Sequence, residues 1–269
     1  MEEKVKGHLV IIGGAEDKYG ERKILKEVAN IAGGNKGQLV IITTATEKPR
    51  EVGQEYRDVF KRIGIEQIEV LDVNTRDDAN SDEAARIIKG SSGVFFTGGD
   101  QLRITSILGG TQVLSALKEA FCQGTAVIGT SAGASVMSNT MIVEGNNNDA
   151  ARKCTLKMAP GLSLISGAII DQHFDQRGRI GRLLCAVAEN PQILGIGIDE
   201  DTAIRVYPDY HFQVIGSNAV TIIDGKSIKS SNVSELKPDE ILTISHVTLH
   251  VLSKGYGFDM KKREVLRLH

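Results

Sequence analysis

Thr125-Ala126-Val127-Ile128-Gly129-Thr130-Ser131-Ala132-Gly133-Ala134-Ser135-Val136-Met137 joins a β-branched apolar run to a string of small, helix-compatible residues. Gly124 and Gly129 bracket the run, which reads as a short buried strand, and Ala134, Val136 and Met137 continue in helical order. Ser131 then lies on a tight strand-to-helix turn with a glycine two residues before it and another two after it. Glycines at those places let the turn close without a Cβ clash and present the hydroxyl at the carboxyl end of a sheet, as in a nucleophile elbow. The plainer alternative is a Gly/Ser loop that only connects two elements; the strand before it and the helix after it favour the elbow.

Outward from this turn the chain alternates strand and helix. His8-Leu9-Val10-Ile11-Ile12-Gly13-Gly14 is an uninterrupted apolar run into a glycine turn, the pattern of a strand buried on both faces in a parallel sheet. A helix follows with Ile24, Leu25, Val28, Ile31 and Ala32 on one face, then a second buried strand, Leu39-Val40-Ile41-Ile42. Val52, Tyr56, Val59, Phe60 and Ile63 form the next helical stripe, Ile68-Glu69-Val70-Leu71 a short strand, and Ser81-Asp82-Glu83 a helix start. Gly93-Val94-Phe95-Phe96-Thr97 is the fourth strand and opens into Gly98-Gly99-Asp100-Gln101, followed by a long helix with Val113, Leu114, Leu117, Ala120 and Phe121 inward. Five strands thus alternate with helices before Ser131, which predicts an α/β fold with helices on both faces of a parallel sheet and a site beyond the strands' carboxyl ends. After a polar stretch from Glu144 to Lys153, Gly167-Ala168-Ile169-Ile170 reads as a strand delivering Asp171-Gln172-His173-Phe174-Asp175, and Leu194 to Ile198 as one delivering Asp199-Glu200-Asp201. From Thr202 onward short strands and turns predict antiparallel strands extending or flanking the sheet. No repeat or low-complexity linker divides residues 1–269, so a single domain is expected.

Composition narrows the function classes. Hydrophobic residues make up 41% and charged residues 25%, ordinary for a globular chain, and a net charge of −2 gives no reason to expect nucleic-acid or membrane binding. The apolar run Leu9 to Ile12 is too short for a signal-peptide core or a membrane span, so a cytoplasmic protein is expected. Cys122, Cys154 and Cys185 are odd in number and lack metal-ligand spacing, which predicts thiols rather than a disulfide framework or a zinc site. Gly13-Gly14-Ala15-Glu16 lacks the third spaced glycine of a dinucleotide fingerprint and no phosphate-loop G-K-[ST] occurs; neither cofactor nor metal is expected.

A serine hydroxyl needs a base within hydrogen-bond distance, most often a histidine oriented by an acid. Of the six histidines, His173 alone follows a buried strand that ends on the side of the site. Three acids compete to orient it: Asp175 nearby in sequence, Asp149 on the polar loop, and Glu200, favoured because a strand end holds a group more rigidly than a loop. The N–H of Ala132, next after the nucleophile, and the Gly98-Gly99 turn, with Gly99 as donor, are the candidate oxyanion hole. Arg177, Arg179 and Arg182 read either as a solvated helix face or as guanidinium forks for substrate carboxylates. With Asp171, Asp175 and Asp199-Glu200-Asp201 close by, the mouth suits a substrate carrying charges of both signs.

Phe96-Thr97-Gly98-Gly99-Asp100-Gln101, Gly129 to Ser135, and Asp171-Gln172-His173-Phe174 with Arg177, Arg179, Gly181 and Arg182 together resemble the cyanophycinases. These are serine exopeptidases of the peptidase family that also holds aspartyl dipeptidase E. The resemblance implies a three-layer α/β/α sandwich of the class I glutamine-amidotransferase-like, flavodoxin-like type with a mostly parallel central sheet, and a homodimer. It implies hydrolysis of cyanophycin, a poly-aspartate backbone with arginine on each β-carboxyl, to β-Asp-Arg dipeptides without metal or cofactor. By the same resemblance Ser131 is the nucleophile, His173 the base, and Gln101, Asp171, Gln172, Arg177, Arg179 and Arg182 are pocket residues. Glu200 remains the first choice of acid, with Asp149 its rival and Asp175 at the spacing used by relatives with a cysteine elbow. The competing functions are an aspartyl dipeptidase acting on short Asp-X peptides and a non-catalytic binding module of the same fold.

Overall fold

A computed structural model of the chain describes residues 5–145, 150–152, 156–237 and 239–268. Up to the elbow it alternates as β1 (Leu9–Ile12), α1 (Lys23–Ile31), β2 (Gln38–Ile42), α2 (Pro49–Ile63), β3 (Gln67–Leu71), α3 (Asp82–Lys89), β4 (Gly93–Phe96), α4 (Gln101–Leu108), α5 (Gln112–Gln123), β5 (Ala126–Thr130) and the short α6 (Ala132–Ser135). The rest comprises β6 (Thr140–Glu144), β7 (Lys157–Pro160), β8 (Ala168–Gln172), α7 (Ile180–Glu189), β9 (Leu194–Ile198), β10 (Thr202–Val206), β11 (His211–Gly216) and β12 (Val220–Asp224). Five further short strands follow: β13 (Ser230–Ser231), β14 (Ile244–Ser245), β15 (Thr248–Leu252), β16 (Tyr256–Asp259) and β17 (Glu264–Arg267).

Helix ends follow local chemistry. Pro49 opens α2, whose missing N–H is one that the first turn leaves without an intrahelical partner, and Gly64 closes it at φ 107°, its N–H donating to the Phe60 carbonyl at 3.1 Å. The Asp100 carboxylate caps α4 by accepting from the Leu102 N–H at 2.8 Å.

The nine-stranded sheet runs β17-β16-β11-β10-β1-β5-β4-β2-β3. Its half from β1 to β3 is parallel, and β10, β11, β16 and β17 extend it antiparallel from β1. Alternate residues of the parallel strands feed opposite sides. Val10, Ile12, Ile41, Phe95 and Ile128 pack with Leu25, Val28, Val59 and Phe60 of α1 and α2. Leu9, Ile11, Val40, Phe96 and Val127 pack on the other side with Ile88, Leu108, Val113 and Leu117. Apolar residues on both faces of β1, β4 and β5 and of Leu39–Ile42 in β2 are the reason these runs carry no polar interruption.

The two strands that deliver His173 and Glu200 lie outside this sheet. β8 and β9 pair parallel to each other and belong to a second, four-stranded sheet in the order β15-β12-β9-β8. Ile170, Ile196, Ile198, Val220 and Ile222 turn one face of it into the core shared with β1, β4 and β5. Ile169 and Ile223 turn its other face to Leu183, Ala186 and Val187 of α7. The glycines of β9 make that packing possible. A Cβ on Gly195 would press on Val187 and Leu183 at 2.8 and 3.0 Å, and one on Gly197 would occupy the Phe174 ring. The layer opposite α1 and α2 is therefore part helix and part sheet.

Two of the chain's passages between the sheets run side by side. Asp199-Glu200-Asp201 links β9 to β10, and Ser217-Asn218-Ala219 links β11 to β12. The Ala219 N–H donates to Asp199 Oδ2 at 3.1 Å, the Ser217 hydroxyl to Asp201 Oδ2 at 2.6 Å and the Asn218 amide to the Glu200 carbonyl at 2.8 Å. Cys122 and Cys185 are free thiols. No helix among the described residues is long and apolar enough to cross a membrane.

Candidate active site

β5 is flanked by β1 and β4, so the turn after it sits between Gly13-Gly14 and Gly98-Gly99 at the carboxyl edge of the parallel strands. Ser131 holds the turn with φ 53° and ψ −112°, a backbone conformation that a residue with a side chain rarely adopts. Its N–H donates to the Ile12 carbonyl at 3.1 Å, and its carbonyl accepts from Ala134 and Ser135, so the strain is held from both sides. The two flanking glycines are required by close approach. A Cβ on Gly129 would overlap the Gly133 carbonyl, and one on Gly133 would sit 2.5 Å from the Phe96 oxygen.

The Ser131 hydroxyl meets His173 Nε2 at 3.1 Å and Gln172 Oε1 at 3.5 Å. Nδ1 of the same imidazole donates to Glu200 Oε1 at 2.6 Å. Of the three acids considered, Glu200 is the one against the ring nitrogen facing away from the serine. Asp175 is exposed and offers its backbone N–H to Asp199 Oδ1 at 3.1 Å, while Asp149 lies outside the described residues. Glu200 is itself fixed at the backbone: its N–H donates to Gln176 Oε1 at 2.9 Å and its carbonyl accepts from Thr202 Oγ1 at 3.1 Å.

His173 is 9% exposed and sits on a φ of 47°. Burial lowers its pKa below the ordinary imidazole value, against the upward pull of the Glu200 hydrogen bond and with a further lowering from the Arg177 charge. The ring is therefore neutral near pH 7 and able to take a proton at Nε2. Gly13-Gly14, set aside above as a failed nucleotide motif, is the seat of this ring. A Cβ on Gly14 would overlap His173 Cε1 and Nε2, the Gly13 carbonyl accepts the His173 N–H at 2.8 Å, and the Gly14 carbonyl accepts the Asp201 N–H at 2.9 Å.

Gly98 lies against Ser131, where an added Cβ would be 3.3 Å from the serine Cβ. Gly99, at φ 145°, packs on the Ala45 carbonyl too closely for any side chain, and its N–H makes no backbone hydrogen bond among the described residues. Ala132 is the first residue of α6, a position whose N–H has no intrahelical partner. Neither N–H makes a backbone hydrogen bond among the described residues.

The charged residues after His173 divide into two groups. Asp171 is fully buried, with Arg182 Nε donating to its Oδ2 at 2.7 Å, Arg182 Nη2 to its Oδ1, and Arg179 Nη1 to Oδ1 at 3.3 Å. Arg179 Nη1 also binds the Gln172 carbonyl, and burial pulls its pKa down to about 10, leaving it charged at neutral pH. Arg177 is exposed. Gln101 directs its amide to the carbonyls of Ile142 and Val143 at 3.1 and 2.9 Å, bringing β6 to the rim. The expected arginine forks thus include two guanidinium groups that hold the base of the His173 turn.

One residue at the site went unread in the sequence. Glu16, 4% exposed, accepts from the Tyr56 phenol at 2.5 Å and from the Thr130 hydroxyl at 2.6 Å, directly beneath the elbow. The signal was an acidic residue placed two after a Gly-Gly turn at a strand's carboxyl end.

A protein-family model described as peptidase family S51 matches residues 9–215. A cyanophycinase of Trichormus variabilis is 40% identical over 259 residues, covering 96% of this chain and 87% of that protein. Those of Synechococcus elongatus and Geminocystis herdmanii are 36% and 34% identical, covering 97% and 98% of this chain and 81% and 97% of theirs. Among solved structures, a peptidase from an acI-B1 actinobacterium superposes with a TM-score of 0.64 at 22% identity, covering 91% of this chain and 98% of that one. A putative peptidase E protein of Listeria monocytogenes gives 0.55 at 17% identity, covering 79% of this chain and 99% of that one. At these identities the two structures speak to the fold alone.

Proposed function

The chain belongs to peptidase family S51, and from that membership we propose that it degrades cyanophycin, releasing β-Asp-Arg dipeptides through an acyl-enzyme on Ser131. It is a serine-type peptidase, and its relatives at 34–40% identity over nearly the whole chain are cyanophycinases. The observation that carries the mechanism is the line Ser131 Oγ, His173 Nε2 at 3.1 Å, His173 Nδ1, Glu200 Oε1 at 2.6 Å.

On this reading Ser131 Oγ attacks the scissile carbonyl carbon as its proton passes to His173 Nε2. Glu200 keeps the proton on Nδ1 and stabilises the imidazolium that forms. The N–H groups of Gly99 and Ala132 receive the developing oxyanion, where preorganised donors contribute most. The imidazolium then protonates the leaving amine, and water, deprotonated by the same ring, releases the acyl group. No step needs a metal or a cofactor. In the pocket, Arg177, Gln101 and Gln172 face the polymer, and Asp171, Arg179 and Arg182 set the wall from which Gln172 projects. The acidic and basic groups together suit a polymer that alternates carboxylate and guanidinium. A cytoplasmic homodimer completes the proposal; light scattering of the purified protein checks the dimer.

Substitution of Ser131 by Ala is expected to lower turnover on the polymer by ~10⁴-fold or more with binding retained. Activity equal to the parent would reject Ser131 as nucleophile. Incubation with insoluble cyanophycin and, separately, with an α-Asp dipeptide tests the substrate: dipeptide release from the polymer is expected, and cleavage of the short peptide alone would sink the polymer reading.

A further inference from the structure

Beyond the serine, histidine and acid, the turn after β1 touches the proposed base and the residues next to the proposed nucleophile and acid. Its Gly13 and Gly14 carbonyls hold the backbones of His173 and Asp201, Gly14 lies beneath the imidazole, and the Asp17 N–H donates to Asp201 Oδ1 at 2.9 Å. These contacts fix the base and the Glu200 link to the turn. Glu16 bridges the turn to the residue preceding the proposed nucleophile, its Oε2 accepting from Thr130 Oγ1 at 2.6 Å. Its Oε1 accepts from Tyr56 at 2.5 Å, which anchors the carboxyl group to α2. Burial and the neighbouring Glu16 keep the Tyr56 phenol far above its ordinary pKa, so it remains a donor.

A buried carboxyl group costs stability unless its oxygens are satisfied, and here both are, by two hydroxyls on different elements. Neither hydroxyl belongs to the proposed reacting groups. We infer that Glu16 is a positioning residue, which through Thr130 locks the strained elbow to the loop that seats His173 and thereby sets the Ser131–His173 separation. Proton transfer from the serine tolerates little misplacement, so the expected defect lies in the rate and not in substrate capture.

The inference rests on the proposed Ser131–His173 pair, and its test separates the two. Thr130→Val keeps the shape of the side chain and removes the donor, Thr130→Ser keeps the donor, and Glu16→Gln keeps the shape of the carboxyl group. On cyanophycin, Thr130→Val and Glu16→Gln are expected to lower kcat by about 10- to 100-fold with KM within about threefold of the parent. Phosphonylation of Ser131 by a serine-directed reagent should slow in parallel, Thr130→Ser should recover most of the turnover, and the Glu16→Gln/Thr130→Val double variant should be no slower than the slower single one. Should Glu16→Gln fail to fold, the Val and Ser variants at Thr130 decide alone. Parent-like kcat in Thr130→Val, or equal losses in Thr130→Val and Thr130→Ser, would overturn the positioning role. Turnover by Ser131→Ala would instead overturn the serine mechanism on which it rests.

Discussion

Ser131 and His173 both hold positive φ, 53° and 47°, next to glycines that give them room. Such a conformation costs on the order of 1–3 kcal/mol per residue and persists only where neighbours hold it. For His173 the neighbours also set the chemistry. Its lowered pKa places the acid limb of kcat/KM below the ordinary imidazole value of about 6.5, because the base must be neutral and is lost only as pH falls through the folded-state pKa. Glu200 raises that pKa, so Glu200→Gln is expected to move the limb to still lower pH while lowering kcat by up to ~10⁴-fold. A pH–rate profile checks both, and a limb unmoved by the substitution would remove Glu200 from the imidazole's partners. Ser131, His173 and Glu200 of the proposed triad were legible as candidates because each follows an apolar run. Glu16 was not, since nothing in Gly13-Gly14-Ala15-Glu16 announces that its partners stand 40 and 114 residues away.

At the scale of elements, the turn after β8 and the start of α7 are joined by Asp171, Arg179 and Arg182. Arg179, the residue before α7, and Arg182 in its first turn both reach Asp171, but sequence order cannot say whether that side meets solvent or a buried carboxylate. Breaking a buried ion pair from one side is costly because the remaining charge stays desolvated. Asp171→Asn is therefore expected to destabilise the protein by about 3–5 kcal/mol, read as a lower denaturant midpoint at unchanged m-value. An unfolding free energy within about 0.5 kcal/mol of the parent would show the pair to be energetically idle. The same limit of sequence explains the two sheets. Apolar runs identify β8 and β9 as buried strands, yet their partners depend on α7 packing on Gly195 and Phe174 packing on Gly197.

Across the whole molecule, the proposed nucleophile and its base belong to different sheets, with Ser131 following β5 of the large one and His173 following β8 of the small one. The Ser131–His173 contact therefore spans the seam between them. Small relative displacements of the sheets break proton transfer long before either loses its hydrogen bonds. In a urea titration, turnover is expected to fall at lower urea than far-UV circular dichroism, in keeping with local openings of lower free energy than global unfolding. Coincident loss of both signals would show that the seam is as stable as the sheets. The alternating half of the fold was legible because its period is regular; the seam was not, because it depends on which strands exchange neighbours after Thr202.

The link Asp199-Glu200-Asp201 is at once a covalent bridge across that seam and the carrier of the proposed acid. Surface loops ordinarily absorb an inserted or deleted residue at little cost. Here a change of one residue in length would swing Glu200 off Nδ1 and undo its bonds to Gln176 and Asn218. The three-residue length of the bridge is thus a constraint in its own right, separate from the identity of the residues that fill it.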